Sequence, residues 1–209
     1  MDDMLKIEDA ALRLGGRVLF RNFGLELKPG EWVCITGESG CGKTSLLRMV
    51  LGFLPLDGGR IWVCGDELSA RTVERIRQQT AYVPQRILTT AESVEEMVRM
   101  PFELKANRET KLDEEELFRV WGLLGLERSL FRRKAGQLSG GQQQRVVLSA
   151  AALLGKRLWL ADEPTSALDE DSVGRVAALF RDAASKGTAV LTVSHNRAFM
   201  EVCDRVIRL

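Results

Sequence analysis

Eight residues, Gly37-Glu-Ser-Gly-Cys-Gly-Lys-Thr44, constrain this chain more than any other feature. They fit the pattern GxxxxGK[ST]. They stand between a compact apolar run, Trp32 to Thr36, and a segment in which Leu46, Leu47, Met49 and Val50 recur at helical spacing. A strand that turns through glycine into a helix is the context in which this pattern binds phosphate. The glycines let the backbone turn tightly so that successive N–H groups point inward, and the helix adds the positive end of its dipole. The candidate phosphate-binding set is Gly37, Glu38, Ser39, Gly40, Cys41, Gly42, Lys43, Thr44 and Ser45. In such a loop the lysine reaches the β- and γ-phosphates, and the threonine hydroxyl ligates Mg²⁺.

A second apolar run, Arg157-Leu-Trp-Leu-Ala-Asp162-Glu163, ends in two acids. A buried parallel strand carries its function at its carboxyl edge, beside the phosphate loop. Asp162 is placed to hold Mg²⁺ through its water shell, and Glu163 to polarise an attacking water. The rest of the chain reads as α/β. Residues 4–35 alternate apolar and polar, with turn signals at Gly15-Gly16 and Pro29-Gly30, and suggest short antiparallel strands. Ile61 to Cys64 and Ala81 to Val83 are further strands. Residues 92–135 are rich in Glu, Leu and Arg, with Leu117, Val120, Trp121 and Leu124 on one helical face, and read as a helical insertion. Helices over 142–154 and 172–185 then alternate with strands at Leu158 to Ala161, Ala189 to Val193 and Arg205 to Leu209. That alternation implies a parallel sheet covered on both faces.

Composition removes several function classes. The net charge is +1, from 30 basic and 29 acidic residues, so no broad basic surface for nucleic acid is expected. There is a single histidine, His195, which excludes a histidine-rich metal site. Cys34, Cys41, Cys64 and Cys203 form no CxxC pair and fit no zinc spacing, so they read as reduced thiols of a cytosolic chain. The acidic start MDDMLKIEDA lacks the apolar core of a signal peptide, and no apolar run approaches the roughly 20 residues that span a bilayer.

Leu138-Ser139-Gly140-Gly141-Gln142, followed by Gln143-Gln144-Arg145, resembles the signature motif of ATP-binding cassette (ABC) ATPases. Tyr82-Val-Pro-Gln85 resembles the family's Q-loop, Ser166-Ala-Leu-Asp169 its D-loop and Ser194-His195 its switch histidine, all in family order. The resemblance spans Leu5 to Leu209. It implies a P-loop NTPase (RecA-like) fold: a mostly parallel sheet core with an N-terminal antiparallel β subdomain and a helical insertion subdomain. One domain over residues 1–209 is expected, with catalytic core and β subdomain over about 1–85 and 138–209, and the helical part over about 86–137.

The resemblance further implies ATP and Mg²⁺ as ligands, with Thr44, Gln85 and Asp162 at the metal and Glu163, His195 and Gln85 as the catalytic group. Ser139, Gly140 and Gly141 stand at a predicted helix start, a second anion-favouring N-terminus. In the family this second site closes, in a head-to-tail homodimer, on ATP held by the other copy, with Ser166 and Asp169 at the junction. His195 would then bond the γ-phosphate. Integral membrane transporter subunits are the expected partners, which puts the chain peripherally on the cytoplasmic face of the membrane, with no nucleic acid involved. The apolar edge Met97, Val98, Met100, Pro101 and Phe102 offers a docking place for them, or else belongs to the helical core. The other readings are a soluble ABC ATPase of the DNA-repair or translation type and a P-loop kinase of small molecules.

Three positions depart from the family pattern, and Cys41 stands at one that the pattern leaves free. Leu14 stands where an aromatic residue stacks on adenine, so stacking is weaker, or Phe20 or another residue substitutes. Ala161 replaces a larger apolar residue before the Mg²⁺ aspartate, and Asn196 replaces the common Asp after the switch histidine. Cys41 lies within the phosphate loop at a helix N-terminus, where it is either an inert small residue or a thiol whose modification blocks ATP.

Overall fold

The computed structural model describes residues 3–88 and 90–209. β1 (Leu5–Leu14) and β2 (Arg17–Leu27) form a hairpin across Gly15-Gly16. Leu5 and Ile7, then Ala10 and Leu12 beyond an irregularity at Asp9 (φ 47°), turn inward, the alternation of an antiparallel sheet with one wet face. These strands are longer than the short ones expected over 4–35. The last part of that stretch, β3 (Trp32–Thr36), belongs to a different sheet. After β3 come α1 (Lys43–Val50), β4 (Gly58–Val63) and β5 (Asp66–Glu67), the last two completing an antiparallel sheet in the order β2-β1-β4-β5.

α2 (Val73–Gln79) leads into β6 (Thr80–Val83), and α3 (Val94–Glu103) and α4 (Glu114–Leu124) follow. Then α5 (Gly140–Leu153), β7 (Leu158–Asp162), α6 (Glu170–Ser185), β8 (Ala189–Val193), α7 (Arg197–Glu201) and β9 (Arg205–Arg208) complete the chain. The second sheet is parallel throughout, in the order β6-β7-β8-β3-β9. Every residue of β7 and β8 is buried, because helices cover one face while α1 and the antiparallel sheet cover the other.

The two faces carry two cores. Val33, Ile35, Leu158 and Leu160 pack with Leu46, Leu47 and Met49 of α1 and with Leu5, Ile7 and Leu27 of the antiparallel sheet. Trp32 and Trp159 face the other way, onto Phe180 and Phe199, in a cluster that continues without a break to Trp121 and Phe131. The indole of Trp121 on α4 donates to Ser149 Oγ on α5 at 2.9 Å, which anchors the helical region to the helix beneath it.

Two helices escaped the sequence reading. α2 buries only Ile76 and α7 only Phe199, so neither has an apolar stripe to reveal it. α5 and α6 each begin two residues earlier than expected, directly after the N-caps Ser139 and Asp169.

Candidate functional site

The parallel sheet delivers three chain crossings to one edge. The first is the loop between β3 and α1. Gly42 has φ 110° and Gly37 φ 153°, backbone conformations that L side chains rarely adopt. Space forbids a side chain as well: a Cβ on Gly37 would lie 2.7 Å from the Leu209 carbonyl oxygen. Lys43 is buried, and its Nζ donates to the carbonyls of Gly37 (2.8 Å) and Glu38 (2.9 Å). The ammonium therefore sits inside the curve of its own loop. α1 has no acid of its own in its first turn, which leaves the positive end of that helix to charges brought from elsewhere in the chain.

The second crossing is the end of β7. Asp162 is 1% exposed, and its Oδ1 has no hydrogen-bond partner. Burial pushes its carboxyl up, opposed by a hydrogen bond with Thr44 and by the charges of Arg48 and Lys43. A buried carboxylate oxygen left unpaired beside a threonine hydroxyl is suited to a hard cation. Among the described residues no three His, Cys, Asp or Glu side chains cluster as a metal cage. That agrees with Mg²⁺, which takes one or two carboxylates and fills its other positions with water and substrate phosphates.

The third crossing is the end of β8. Its neighbour Glu163 has φ 48°, unusual for a non-glycine residue, and donates its backbone N–H to Val193 O at 2.9 Å. This turn aims the carboxylate at His195, whose Nε2 lies 3.3 Å from Oε1. Burial raises the Glu163 carboxyl, and His195 draws it back down. The imidazole is half exposed while the carboxylate is nearly buried, so the pair is open on the histidine side. Asn196 explains its own departure from pattern: its Oδ1 accepts from Phe199 N at 3.0 Å and caps α7. Asn serves as an N-cap about as well as Asp.

Ser39, Gly40, Gly42, Lys43, Thr44, Ser45, Gln85, Asp162, Glu163 and His195 line one cleft of about 500 Å³. Gly37 and Glu38 support it from behind through the carbonyls that hold Lys43. Cys41 does not line it. Its sulfur lies under the loop, 3.9 Å from Lys43 Nζ.

The signature residues lie elsewhere. Ser139 Oγ accepts from Gln142 N and Gln142 Oε1 accepts from Ser139 N, a reciprocal capping box at the start of α5. Gly141 is pressed against the D-loop, since a Cβ there would lie 2.8 Å from Ala167 O. Leu138 is buried, while Ser139, Gly140 and Ser166 are exposed. None of Leu138 to Gln142, Ser166 or Asp169 touches the cleft. The Asp169 carboxylate accepts from Ser172 N at 2.8 Å as the cap of α6, which holds its carboxyl low.

One expectation is corrected and one open choice is decided. Phe20 does not substitute for the missing aromatic ring: it is buried against Gly42 and Phe23, while Leu14 (51% exposed) and Leu19 form the apolar wall of the cleft. Of the two readings of the 97–102 run, packing supports the helical core: Met97, Val98 and Phe102 are buried in it, and only Met100 of the apolar residues there is exposed. The sequence reading also missed Arg48. It stands one helical turn after Thr44 and acts on both Asp162 and Tyr82. The i,i+4 spacing from Thr44 was the available signal.

Comparison with known proteins adds a family to this geometry. The profile described as ABC transporter matches residues 20–166. An Fe(3+) ions import ATP-binding protein of Streptomyces coelicolor is 35% identical over 98% of this chain and 58% of its own length. A cytochrome c biogenesis ATP-binding export protein of Albidiferax ferrireducens is 34% identical over 88% of this chain and 85% of its own. An L-cystine transport system ATP-binding protein of Escherichia coli is 34% identical over 97% and 85% respectively. The chain thus spans little more than half of the first of these relatives and most of the other two. Among solved structures, a dimeric post-hydrolysis state of an ATP-binding cassette bound to ADP and Pi has a TM-score of 0.83 at 26% identity, over 99% of this chain and 94% of that one. The fold is also shared with a Clostridium perfringens protein that is part of an ABC transporter complex (TM-score 0.80, 23% identity, 100% of this chain and 85% of that one).

Proposed function

The chain belongs to the ABC transporter family as an ATP-binding cassette, and from that premise we propose that it hydrolyses ATP in the cleft at the edge of its parallel sheet. The observation that carries this reading is the meeting of the phosphate loop, the Thr44–Asp162 pair, Gln85 and the Glu163–His195 pair in one cleft. Loop amides from Gly37 to Ser45 and the Lys43 ammonium bind the phosphates. Thr44, Asp162 and Gln85 would hold Mg²⁺, which supplies positive charge against the phosphate oxygens. Glu163 accepts the proton of the attacking water. Burial raises its basicity toward the working pH, and this favours a general base. His195 orients Glu163 through Nε2 and presents its exposed edge to the γ-phosphate.

A second copy completes the site. The start of α5, where Ser139 and Gly140 are exposed, has no acid in its first turn, and Leu138 to Gln142 lie outside the cleft of their own chain. It covers ATP held by the partner copy, with Ser166 and Asp169 at the junction. Integral membrane subunits use the work, and the cassette acts from the cytoplasmic face. Residues 1–85 and 138–209 form the nucleotide-binding core, and 86–137 the helical part.

Glu163→Gln tests this. The variant keeps the backbone bond to Val193 and the size of the side chain, and loses the base. It is expected to bind ATP with Mg²⁺, to lose about 10²–10⁴-fold in hydrolysis, and to accumulate as a dimer in light scattering. A monomer at saturating ATP refutes the shared site.

A further inference from the structure

A second cavity, at the end of the parallel sheet away from the cleft, has a buried cation in its wall. α5 ends before Gly155, whose φ of 63° turns the chain. β7 then pairs with β6 in a register that sets Leu158 against Thr80, and so brings Lys156 beside Gln78. Lys156 Nζ donates to Gln78 O at 2.7 Å and to Ala106 O, in the connection between α3 and α4, at 3.5 Å. Lys156 is only 8% exposed. Burial pushes its ammonium down, and no carboxylate stands near enough to hold it up. Lys105, Asn107, Arg108 and Thr110 share the wall of this cavity, whose volume is about 310 Å³. Glu109 is its one acid, and it is exposed. Asn107 is buried, and its Nδ2 donates to Pro101 O at 2.7 Å, which fixes the orientation of the amide. Its Oδ1 is buried without a hydrogen-bond partner.

We propose that this cavity is a second anion site, which takes a phosphate group that carries a hydroxyl, as inorganic phosphate or as a small phosphate monoester. A buried ammonium without a counter-ion is stabilised by an anion in contact with it. Two carbonyls take two of its three protons, and the third is left for the ligand. Lys105 and Arg108 add positive charge at the rim. Asn107 selects among anions. Its Oδ1 only accepts, so the ligand needs a donor next to its charge. Hydrogen phosphate has one in its P–OH, and a monoester of a polyol has one in an alcohol hydroxyl. Sulfate at neutral pH has none. The volume lies at the small end of the range for small-molecule sites, about 300–1,000 Å³. Lys156 precedes β7, whereas Lys105 and Arg108 lie between α3 and α4, so a bound ion ties the helical region to the sheet. The length of β7, about 15 Å, separates this site from Asp162. The inference does not depend on the nucleotide reading.

The test titrates the full chain, free of nucleotide and at constant ionic strength, with inorganic phosphate, with glycerol 3-phosphate and with sulfate. Amide ¹H–¹⁵N spectra read each region separately, so binding at the phosphate loop (37–45) is not confused with binding here. Phosphate or the monoester is expected to give saturating shifts at 105–110 and 156, and the tighter of the two identifies the source of the group. Sulfate is expected to bind about 2–10-fold more weakly, for want of the hydrogen bond to Asn107. Lys156→Met is expected to raise the Kd read at 105–110 by about 10-fold or more and to leave that read at 37–45 in place. Arg108→Ala, at an exposed position, is expected to raise it about 2–5-fold. Shifts confined to 37–45, a non-saturating response at 105–110, sulfate that binds as tightly as both phosphates, or an unchanged Kd in Lys156→Met overturns the proposal. The comparison of anions is made on the parent chain and decides the matter even where Lys156→Met fails to fold.

Discussion

Replacing Asp162 by Asn is expected to stabilise the nucleotide-free chain and to abolish its response to ATP and Mg²⁺. The carboxylate is 1% exposed, one of its oxygens has no hydrogen-bond partner, and burial already pushes its carboxyl up. An unpaired buried charged acceptor costs about 3 kcal/mol. The amide that replaces it accepts from Thr44 equally well but leaves an unpaired N–H, at about 1 kcal/mol. The difference, about 2 kcal/mol, corresponds to a rise in Tm of about 4–8 °C for a chain of this length. Ligand acts in the opposite direction. At a hundredfold excess over Kd, Mg²⁺ with ATP adds about 2.7 kcal/mol to the parent, or about 5–11 °C, and little to the variant. The two proteins therefore exchange rank between empty and loaded conditions.

The pH dependence of the same pair has a definite sign. The folded Asp162 binds its proton more tightly than the unfolded one, whose ordinary value is 3.8. Its contribution to stability is present below 3.8 and is lost as pH rises through the raised folded pKa. The advantage of Asn over the parent thus grows across that window. Glu163 titrates in the same sense but is common to both proteins. Thermal unfolding followed by circular dichroism, from pH 4 to 8 and with and without Mg²⁺ and ATP, makes the measurement. A nucleotide-free variant less stable than the parent at neutral pH refutes the reasoning, because it means the carboxylate is already compensated.

Other outcomes follow from the same geometry. Leu14→Tyr places a ring on the exposed aliphatic wall of the cleft and is expected to tighten ATP binding by about 5–150-fold, from roughly 1–3 kcal/mol of stacking. Equilibrium titration with a fluorescent ATP analogue reads it, and an unchanged Kd removes Leu14 from the adenine site. Gly141→Ala forces a Cβ to 2.8 Å from Ala167 O, so the signature or the D-loop must move. Each single chain should still bind ATP, while light scattering should show loss of the ATP-dependent dimer in the Glu163→Gln background. His195→Ala removes the group that draws Glu163 down, so the acidic limb of the residual ATPase profile is expected to move to higher pH. A limb that stays in place assigns it to another group.

What was legible in the sequence follows from how local each feature is. The phosphate loop could be read because its glycines, lysine and threonine are adjacent in the chain and need only a strand before and a helix after. β7 and β8 could be read because strands buried on both faces become unbroken apolar runs. α2 and α7 could not, since each puts one side chain into the core and a single buried residue has no period. Phe20 misled for a related reason: an aromatic residue near the loop is equally able to stack on a ligand or to sit under Gly42, and only packing decides between them.

By itself the sequence determined the chemistry available to this protein: a phosphate loop, two acids at a strand end, one histidine, and a signature whose glycines open a helix. Each is a property of residue types at short separation. Tertiary structure alone decided how they are grouped. It set His195 3.3 Å from Glu163, although 32 positions separate them in the chain, by pairing β7 with β8 in parallel. It left Asp162 Oδ1 buried and unpaired beside Thr44, and put the signature on a surface away from its own cleft. The physical reason is common to all of these. Distances across a sheet are set by its strand order and register, which arise from burying two apolar faces at once and leave no local trace around any one residue.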